Sequence, residues 1–437
     1  MNNKKKKRSY TVIGTDFLHP GHLAILKKAS EFGELIVGLL TDEAIGKYKR
    51  LPVISFDDRR KILESIKWVS RVVVQKNLNY RENLLKIKPD FVVHGDDWKN
   101  GRQKKIRDEV IKIISKWGGK VIDLPYNKKY SSEKYKSLLA QYETPTISRK
   151  KSLKRLIDAK NFIRLIDVHN GLSGLIAEKI NIKKKYNVIE FDGFWASSLT
   201  NSTIKGKPDI EAVDVTERIQ TINEILEVTS KPILFDADTG GKIEHFVFTV
   251  KTLERLGVSG LIVEDKIGLK KNSLLGNKVK QKQDSISSFS KKIKSAQLSK
   301  KSKEFLIIAR IESLILGKSV NDCLARAKSY IDAGADGIMI QSKEKSIKKI
   351  ELFCKSYNKF RNRKPLVLVP TAYSHVREEK LQKMGANVVI YANHLLRSAY
   401  PSMINTAKMI LNNRRSHEVE KKILSIKDIL DLIPGTN

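Results

Sequence analysis

The sequence predicts an α/β protein in two parts, a small Rossmann-like parallel-sheet domain followed by a (β/α)8 barrel, and three observations carry that expectation. Short apolar runs of strand length alternate with helix-period stretches along the whole chain, the pattern of parallel sheets built from crossovers. The alternation breaks once, at YETPTISRKK (142–151), where Pro, Thr and charge interrupt both periods. After the break come eight strand candidates over about 250 residues, the size of a barrel. The expected division is a first domain at 1–141, a linker at 142–154 and the barrel at 155–437.

In chain order, strands are predicted upstream at 10–14, 35–40, 72–75, 91–93 and 121–124. Downstream they fall at 162–167, 188–191, 233–236, 260–264, 306–309, 337–340, 366–369 and 387–391. Barrel active sites form at the C-terminal strand ends. Polar residues gather at the expected ends: Asp192, Asp236, Asp238, Glu264, Asp265, Arg310, Gln341, Thr371 and Asn393. Carboxylates and an arginine converging on one rim are costly to desolvate, so a purely structural barrel has no use for them.

Composition narrows the function classes. With 437 residues, 41% of them hydrophobic, the chain can bury two full cores. It has no apolar run of about 18 residues, and MNNKKKKRSY is not followed by a secretory apolar segment, so a cytoplasmic protein without a membrane span is expected. The two cysteines, Cys323 and Cys354, are far from any partner that would complete a zinc site and are expected as buried thiols. The formal charge of +36 is mostly scattered Lys without interleaved aromatics, which argues against nucleic acid and for anionic small substrates.

The sharpest barrel motif is FDADTGG (235–241). Asp236 and Asp238 are two apart, so on an extended chain their carboxylates point the same way, and hard oxygen donors suit Mg²⁺. Gly240 and Gly241 allow a tight turn beside a ligand. In VEDKIGLKKNS (263–273), Glu264 and Asp265 sit at a strand end before a Lys-rich segment with the composition of a lid that brings cations onto phosphate. In IARIES (308–313), Arg310 offers a planar fork to carboxylate or phosphoryl oxygens, or an ion pair to Glu312.

With HNGLSGLIAEK (169–179), FDGFWASSLTNSTIKGKPD (191–209), AGADGIMIQS and YANHLLRSAYPSM added, residues 155–430 resemble phosphoenolpyruvate mutase of the isocitrate lyase superfamily. That resemblance implies a Mg²⁺-dependent interconversion of phosphoenolpyruvate and phosphonopyruvate. It places the substrate carboxylate and pyruvyl oxygen at Trp195, Ser197, Ser198 and Leu199, and the metal at Asp236, Asp238 and Glu264, partly through water. Asp209 would lie near the migrating phosphoryl group, Lys270 and Asn272 with Ser273 would close over substrate, and Arg310 would bind its anionic end. Gln341 stands where the family has histidine; its amide can donate but carries no charge, so weaker phosphoryl binding follows. The family's C–C lyases carry a cysteine in a K-K-C-G-H loop, whereas this chain has Lys270, Lys271, Asn272 and Ser273, which argues against lyase chemistry. Phosphonopyruvate hydrolase shares most of the site and is the alternative. The family also implies a homodimer or homotetramer through exchange of a barrel helix.

In the first domain, HPGH (19–22) follows the first strand and opens a helix, where free N–H groups and the helix dipole favour a phosphate chain; standing alone, the motif reads as a capping turn. With TDE (41–43), DDRRKILESIKWV (57–69) and GDDW (95–98), residues 9–138 resemble the glycerol-3-phosphate cytidylyltransferase branch of the nucleotidylyltransferases. That likeness implies CTP as substrate with Mg²⁺, His19 and His22 at the α-phosphate, Lys47 and Arg59 or Arg60 on phosphates, and Thr15, Asp97 and Trp98 at the nucleotide. The branch's R-T-x-G-I-S-T-T-K run is replaced by YNKKYSSEKYK (126–136), where Ser131, Ser132 and Lys129 substitute for the missing Arg-Thr pair. The fusion suggests that the barrel makes a C–P bond and the first domain links a phosphonate to CMP.

Overall fold

A computed structural model describes residues 6–14, 17–47, 51–52, 54–99, 103–125, 145–184, 188–268, 270–273 and 281–433. The first domain is a sheet of five parallel strands, β1 (Arg8–Ile13), β2 (Glu34–Leu40), β3 (Arg71–Gln75), β4 (Phe91–Gly95) and β5 (Lys120–Leu124), in the order β3-β2-β1-β4-β5. All five fall where the apolar runs predict, because strands covered on both faces need continuous apolar sequence. One core on one face holds Tyr10, Leu84, Val92 and Trp98, and a second on the other holds Ile13, Leu26, Leu35 and Val93. Gly38 is required by packing: a Cβ there would stand 2.2 Å from the Tyr10 hydroxyl, which lies across the sheet and donates to Gln75 Oε1 at 2.6 Å. The order reverses between β1 and β4, and ligands of open α/β sheets bind at such a switch point, outside the carboxyl ends of the strands.

The second domain begins with β6 (Ile163–Asp167), an antiparallel ribbon of β7 (Asn181–Lys183) with β8 (Val188–Glu190), and then β9 (Gly193–Ala196). It continues through β10 (Ile233–Asp236), β11 (Gly260–Glu264), a second ribbon of β12 (Lys266–Ile267) with β13 (Lys282–Gln283), β14 (Leu306–Ile311), β15 (Gly337–Ile340), β16 (Leu366–Leu368) and β17 (Val388–Tyr391). Strands β6, β9, β10, β11, β14, β15, β16 and β17 close into a parallel barrel.

One predicted strand is corrected. Residues 188–191 were expected as the second barrel strand, but β8 lies in the ribbon and the four-residue β9 takes that place between β6 and β10. VIEF is the better strand former, whereas GFWA opens with a glycine that is needed because a Cβ at Gly193 would meet the Pro232 carbonyl oxygen at 2.7 Å. Asp192 therefore precedes a barrel strand and sits at the end opposite the rim, accepting from Arg164 N at 2.8 Å and Lys160 Nζ at 2.6 Å.

The floor of the barrel is closed by the helix Pro145–Lys160, whose Leu153 and Ile157 pack with Ile163, Leu165, Trp195 and Leu234 in the barrel interior. Residues 145–154, assigned to the linker in the sequence reading, are thus helical and seated in the barrel. The same helix meets the first domain, where the Arg155 guanidinium donates to the Pro52 carbonyl, and Val188 N donates to the Lys47 carbonyl at 2.8 Å. Contact between the domains therefore involves the floor helix and ribbon, away from the rim. Both cysteines are buried and free. No helix among the described residues is long and apolar enough to cross a membrane.

Candidate active site

The rim is organised by the turn after β10. Asp236 ends the strand, and the chain turns left-handed at Asp238 (φ 52°), Gly240 (φ 70°) and Gly241 (φ 59°). The expectation that an extended backbone aligns Asp236 and Asp238 is corrected here. The left-handed conformation curls Asp238 back, so that its own N–H donates to Asp236 Oδ1 at 3.2 Å.

Cations from three elements meet these carboxylates. Arg218 Nη1 donates to Asp238 Oδ2 at 2.9 Å and Nη2 to the Ala196 carbonyl at 3.2 Å, with the guanidinium over the Phe235 ring at 4.1 Å. The Lys270 ammonium contacts Asp238 Oδ1 and the Ser198 hydroxyl and donates to Asp209 Oδ1 at 2.6 Å. Asn272 Nδ2 holds the other Asp209 oxygen at 2.7 Å, and the Ser198 hydroxyl donates to Asp236 Oδ2 at 3.2 Å.

Beside them lies a second buried group. Arg310 Nε donates to Glu312 Oε1 at 2.5 Å and Nη2 to Ser273 Oγ at 2.7 Å, while Glu264 Oε2 stands 3.1 Å from Nη2. The Ser273 hydroxyl donates to Glu312 Oε2 at 2.5 Å and accepts from Lys266 Nζ at 2.9 Å, which saturates its hydrogen-bonding capacity.

Burial pushes the Glu264 carboxyl up to about 7 against the pull of Arg310, and burial together with Asp236 raises Asp238. Asp236 is also desolvated, but Lys270, Arg310 and Arg218 outweigh the burial and hold it below the ordinary carboxylate range. Lys270, although buried, is held in its charged form by Asp238, Asp236 and Asp209. The rim is thus a site of fixed charges with little water to screen them, the environment in which electrostatic stabilisation is strongest.

One cavity brings together Trp195, Ser197, Ser198 and Leu199 from the segment after β9, Asp209, Asp236 and Arg310, and Lys270, Asn272 and Ser273 from the segment after β12. Gln341, Thr371 and Asn393 complete its polar wall, and Met339, Val369 and Ala392 its apolar one. Asp238 and Glu264 are buried behind Lys270 and Arg310 rather than on the cavity wall. Asp265, expected at the rim, turns outward: its carboxylate accepts from Arg326 Nη1 at 3.0 Å, the Tyr330 hydroxyl at 2.8 Å and Gln283 Nε2 at 2.9 Å.

Among the described residues no three acidic or imidazole groups stand as a finished metal site. Of the three carboxylates, Asp236 lines the cavity and offers the hard oxygen that a divalent cation completed by water prefers, whereas both Glu264 oxygens are paired, Oε1 with Lys266 Nζ at 3.3 Å and Oε2 with Arg310 Nη2 at 3.1 Å. Sequence reasoning missed Arg218 and Lys266; a buried arginine in the helix Val215–Val228 looks like any surface cation of that helix. Glu312 was visible in IARIES as a partner for Arg310, and it serves as one.

In the first domain His19 caps the helix Pro20–Glu31, and His22 one turn on lies against it, ring centroids 3.8 Å apart and planes tilted by 34°; burial lowers the His19 pKa. Arg59 is buried, donating to the Leu40 carbonyl at 3.0 Å and Asp42 Oδ1 at 2.5 Å, in an apolar pocket lined by Phe17, Leu18 and Ile54. Lys47 is half-exposed and pairs with Glu43 at 2.8 Å, and Asp97 stands 3.6 Å from His94 Nδ1. Trp98, expected at the nucleotide, is a core side chain: it is 1% exposed, stacks on His94 at 4.2 Å and donates from Nε1 to Asp123 Oδ1 at 2.6 Å. Thr15, Lys129, Ser131 and Ser132 lie outside the described residues.

Comparison with known proteins agrees with both halves of this description. Residues 153–411 match the family profile described as phosphoenolpyruvate phosphomutase, and residues 13–138 match that described as cytidylyltransferase-like. A phosphoenolpyruvate phosphomutase of Tetrahymena pyriformis is 34% identical over 281 residues, 64% of this chain and 89% of that protein. The crystal structure of a phosphoenolpyruvate phosphomutase from Streptomyces platensis subsp. rosaceus superposes with a TM-score of 0.59 at 30% identity, covering 64% of this chain and 93% of that one. That of a phosphonopyruvate hydrolase in complex with oxalate and Mg²⁺ gives 0.58 at 28% identity, covering 65% and 94%.

Proposed function

Because this chain belongs to the phosphoenolpyruvate phosphomutase family and carries a cytidylyltransferase-like domain ahead of the barrel, we propose that its barrel interconverts phosphoenolpyruvate and phosphonopyruvate in phosphonate biosynthesis. The observation that carries this reading is the docking of residues 270–273 over the cavity, with Lys270 and Asn272 on the two oxygens of Asp209 and Ser273 on Arg310. A site that transfers phosphorus within one substrate must keep water from the transferring group, and this segment covers the pocket with cations and neutral donors.

In the proposed reaction, Ser197, Ser198 and Leu199 hold the carboxylate and pyruvyl oxygen. The P–O bond of phosphoenolpyruvate breaks, its electron pair stays with the pyruvate enolate, and C3 of that enolate then forms the P–C bond. Arg310, Lys270, Asn272 and Gln341 stabilise the metaphosphate-like group between these steps, and Asp209 orients Lys270 and Asn272 toward it. Asp236, with Asp238 and Glu264 through water, is the proposed holder of Mg²⁺, which when bound neutralises the developing enolate charge. Incubating the protein with phosphonopyruvate and Mg²⁺ under ³¹P NMR should convert the phosphonate resonance to that of phosphoenolpyruvate. Inorganic phosphate with pyruvate as the sole products would instead establish hydrolysis.

Residues 1–141 are proposed as a domain distinct from the barrel, joining CMP from CTP to a phosphonate, with the paired His19 and His22 at the α-phosphate. The substrates of both sites are small soluble anions, which suits a cytoplasmic enzyme. A homodimer or homotetramer formed by helix exchange is also proposed. It is supported by the helix His394–Asn413, which has no buried residue and leaves Tyr400, Met403 and Leu411 60% or more exposed.

A further inference from the structure

Lys266 lies outside the cavity, yet it holds three groups of the loop that covers it. Its side chain, 4% exposed, projects from β12 at the point where the chain leaves the barrel. The ammonium has three protons and three loop acceptors: the Lys271 carbonyl at 2.8 Å, Ser273 Oγ at 2.9 Å and Gln281 Oε1 at 3.0 Å. Lys271 and Ser273 are on the outgoing limb of the loop and Gln281 is on the returning limb. The β12–β13 ladder, Lys266 opposite Gln283 and Ile267 opposite Lys282, closes the same loop at its base. Glu264 at 3.3 Å and Glu312 at 3.5 Å balance the ammonium from the barrel side, and together with Arg310 they form a buried set of two anions and two cations.

The Lys271 carbonyl belongs to the residue between Lys270 and Asn272, the two side chains that grip Asp209. Fixing that one peptide therefore fixes the direction of both neighbours. From this we infer that Lys266 is a positioning residue that clasps the two limbs of the loop, and that it sets how the bound phosphoryl group partitions between carbon and water. This inference rests on the mutase reading above. Without the clasp, the backbone between Lys270 and Asn272 is released and their side chains are held only through Asp209, so that water reaches the metaphosphate-like group. Water then forms the new P–O bond, giving phosphate, while the enolate carbon takes a proton, giving pyruvate.

The test is the product ratio of Lys266→Met, which keeps the length and packing of the side chain and removes the donors. With phosphonopyruvate and Mg²⁺ followed by ³¹P NMR, the ratio of phosphate to phosphoenolpyruvate should rise at least tenfold. The kcat for phosphoenolpyruvate formation should fall roughly 10²-fold, the scale of a misplaced positioning group, while KM changes less than threefold because Lys266 does not line the cavity. Lys266→Arg, which restores a cation with several donors, should recover part of the wild-type ratio. A merely structural role would reduce both products together and leave the ratio at its wild-type value, and that result in Lys266→Met overturns the inference. Should Lys266→Met not fold, Lys266→Gln is read by the same ratio. Failure of the mutase reading is distinguishable, since it appears in the wild-type protein as an absence of phosphoenolpyruvate before any variant is compared.

Discussion

Asp238 combines a buried charge with a backbone conformation that few residues adopt, and three substitutions separate the two. Its side chain is 8% exposed between Arg218 and Lys270, both 4% exposed. Removing the carboxylate leaves Lys270 with Asp209 but leaves Arg218, among the described residues, with a carbonyl and the Phe235 ring. Breaking a buried pair in this way costs about 3–5 kcal/mol. The φ of 52° adds a second cost for any residue with a Cβ that lacks a compensating polar side chain, about 1 kcal/mol for Ala relative to Gly. Asp238→Asn keeps an acceptor for Arg218 and tolerates the left-handed region, so it should lose least, about 1–3 kcal/mol. Asp238→Gly should lose more, and Asp238→Ala about 1 kcal/mol more again, or about 2–4 °C in the barrel transition by calorimetry. Equal melting of the Gly and Ala variants would refute the backbone argument. Melting of all three within about 0.5 kcal/mol of wild type would refute the charge argument.

Other outcomes follow from the same geometry. Asp167 is buried under the Thr200 hydroxyl at 3.0 Å and Asn393 N at 2.8 Å, and burial lifts its pKa from 3.8 to about 7. The folded state therefore keeps this proton longer than the unfolded chain, so its contribution to stability is greatest at low pH. That contribution falls by up to about 1.4 kcal/mol per unit as pH rises through the interval between those values, and is flat above it. Asp167→Asn should remove this component of the slope in melting curves recorded across the interval, and an unchanged slope would contradict the assignment. Trp98→Phe should destabilise the first domain by about 1 kcal/mol through loss of the bond to Asp123 while leaving CTP binding by calorimetry unchanged, since the indole is in the core. His19→Ala should abolish pyrophosphate release from CTP with phosphonate acceptors, and release at the wild-type rate would remove the histidine pair from the chemistry.

Much of this architecture can be read from the sequence because parallel strands covered on both faces must be written as continuous apolar runs, and twelve of the thirteen predicted strands lie where such runs fall. The miss has a physical cause. GFWA is short, opens with a glycine demanded by the Pro232 backbone, and is outcompeted in pattern by the neighbouring VIE, which pairs with exposed NIK instead. Residues held near a strand end, such as Asp236, Arg310 and Ser198, were legible because their position follows from the strand. Arg218 and Lys266 were not, since their roles depend on which helix face or loop limb happens to meet the rim. The burial of Trp98 against Tyr80 and His94 was not legible, because a motif specifies neighbours in sequence whereas burial depends on the packed core.

The water-excluded transfer of phosphorus is tested most directly by running the conversion of phosphonopyruvate to phosphoenolpyruvate in H₂¹⁸O and examining the phosphoryl group by mass spectrometry. On the proposed mechanism the three non-bridging oxygens of the phosphoryl group in phosphoenolpyruvate should carry no solvent oxygen, because that group migrates without meeting water. Solvent ¹⁸O in that phosphoryl group, or ¹⁸O-labelled phosphate as the main product, would contradict it.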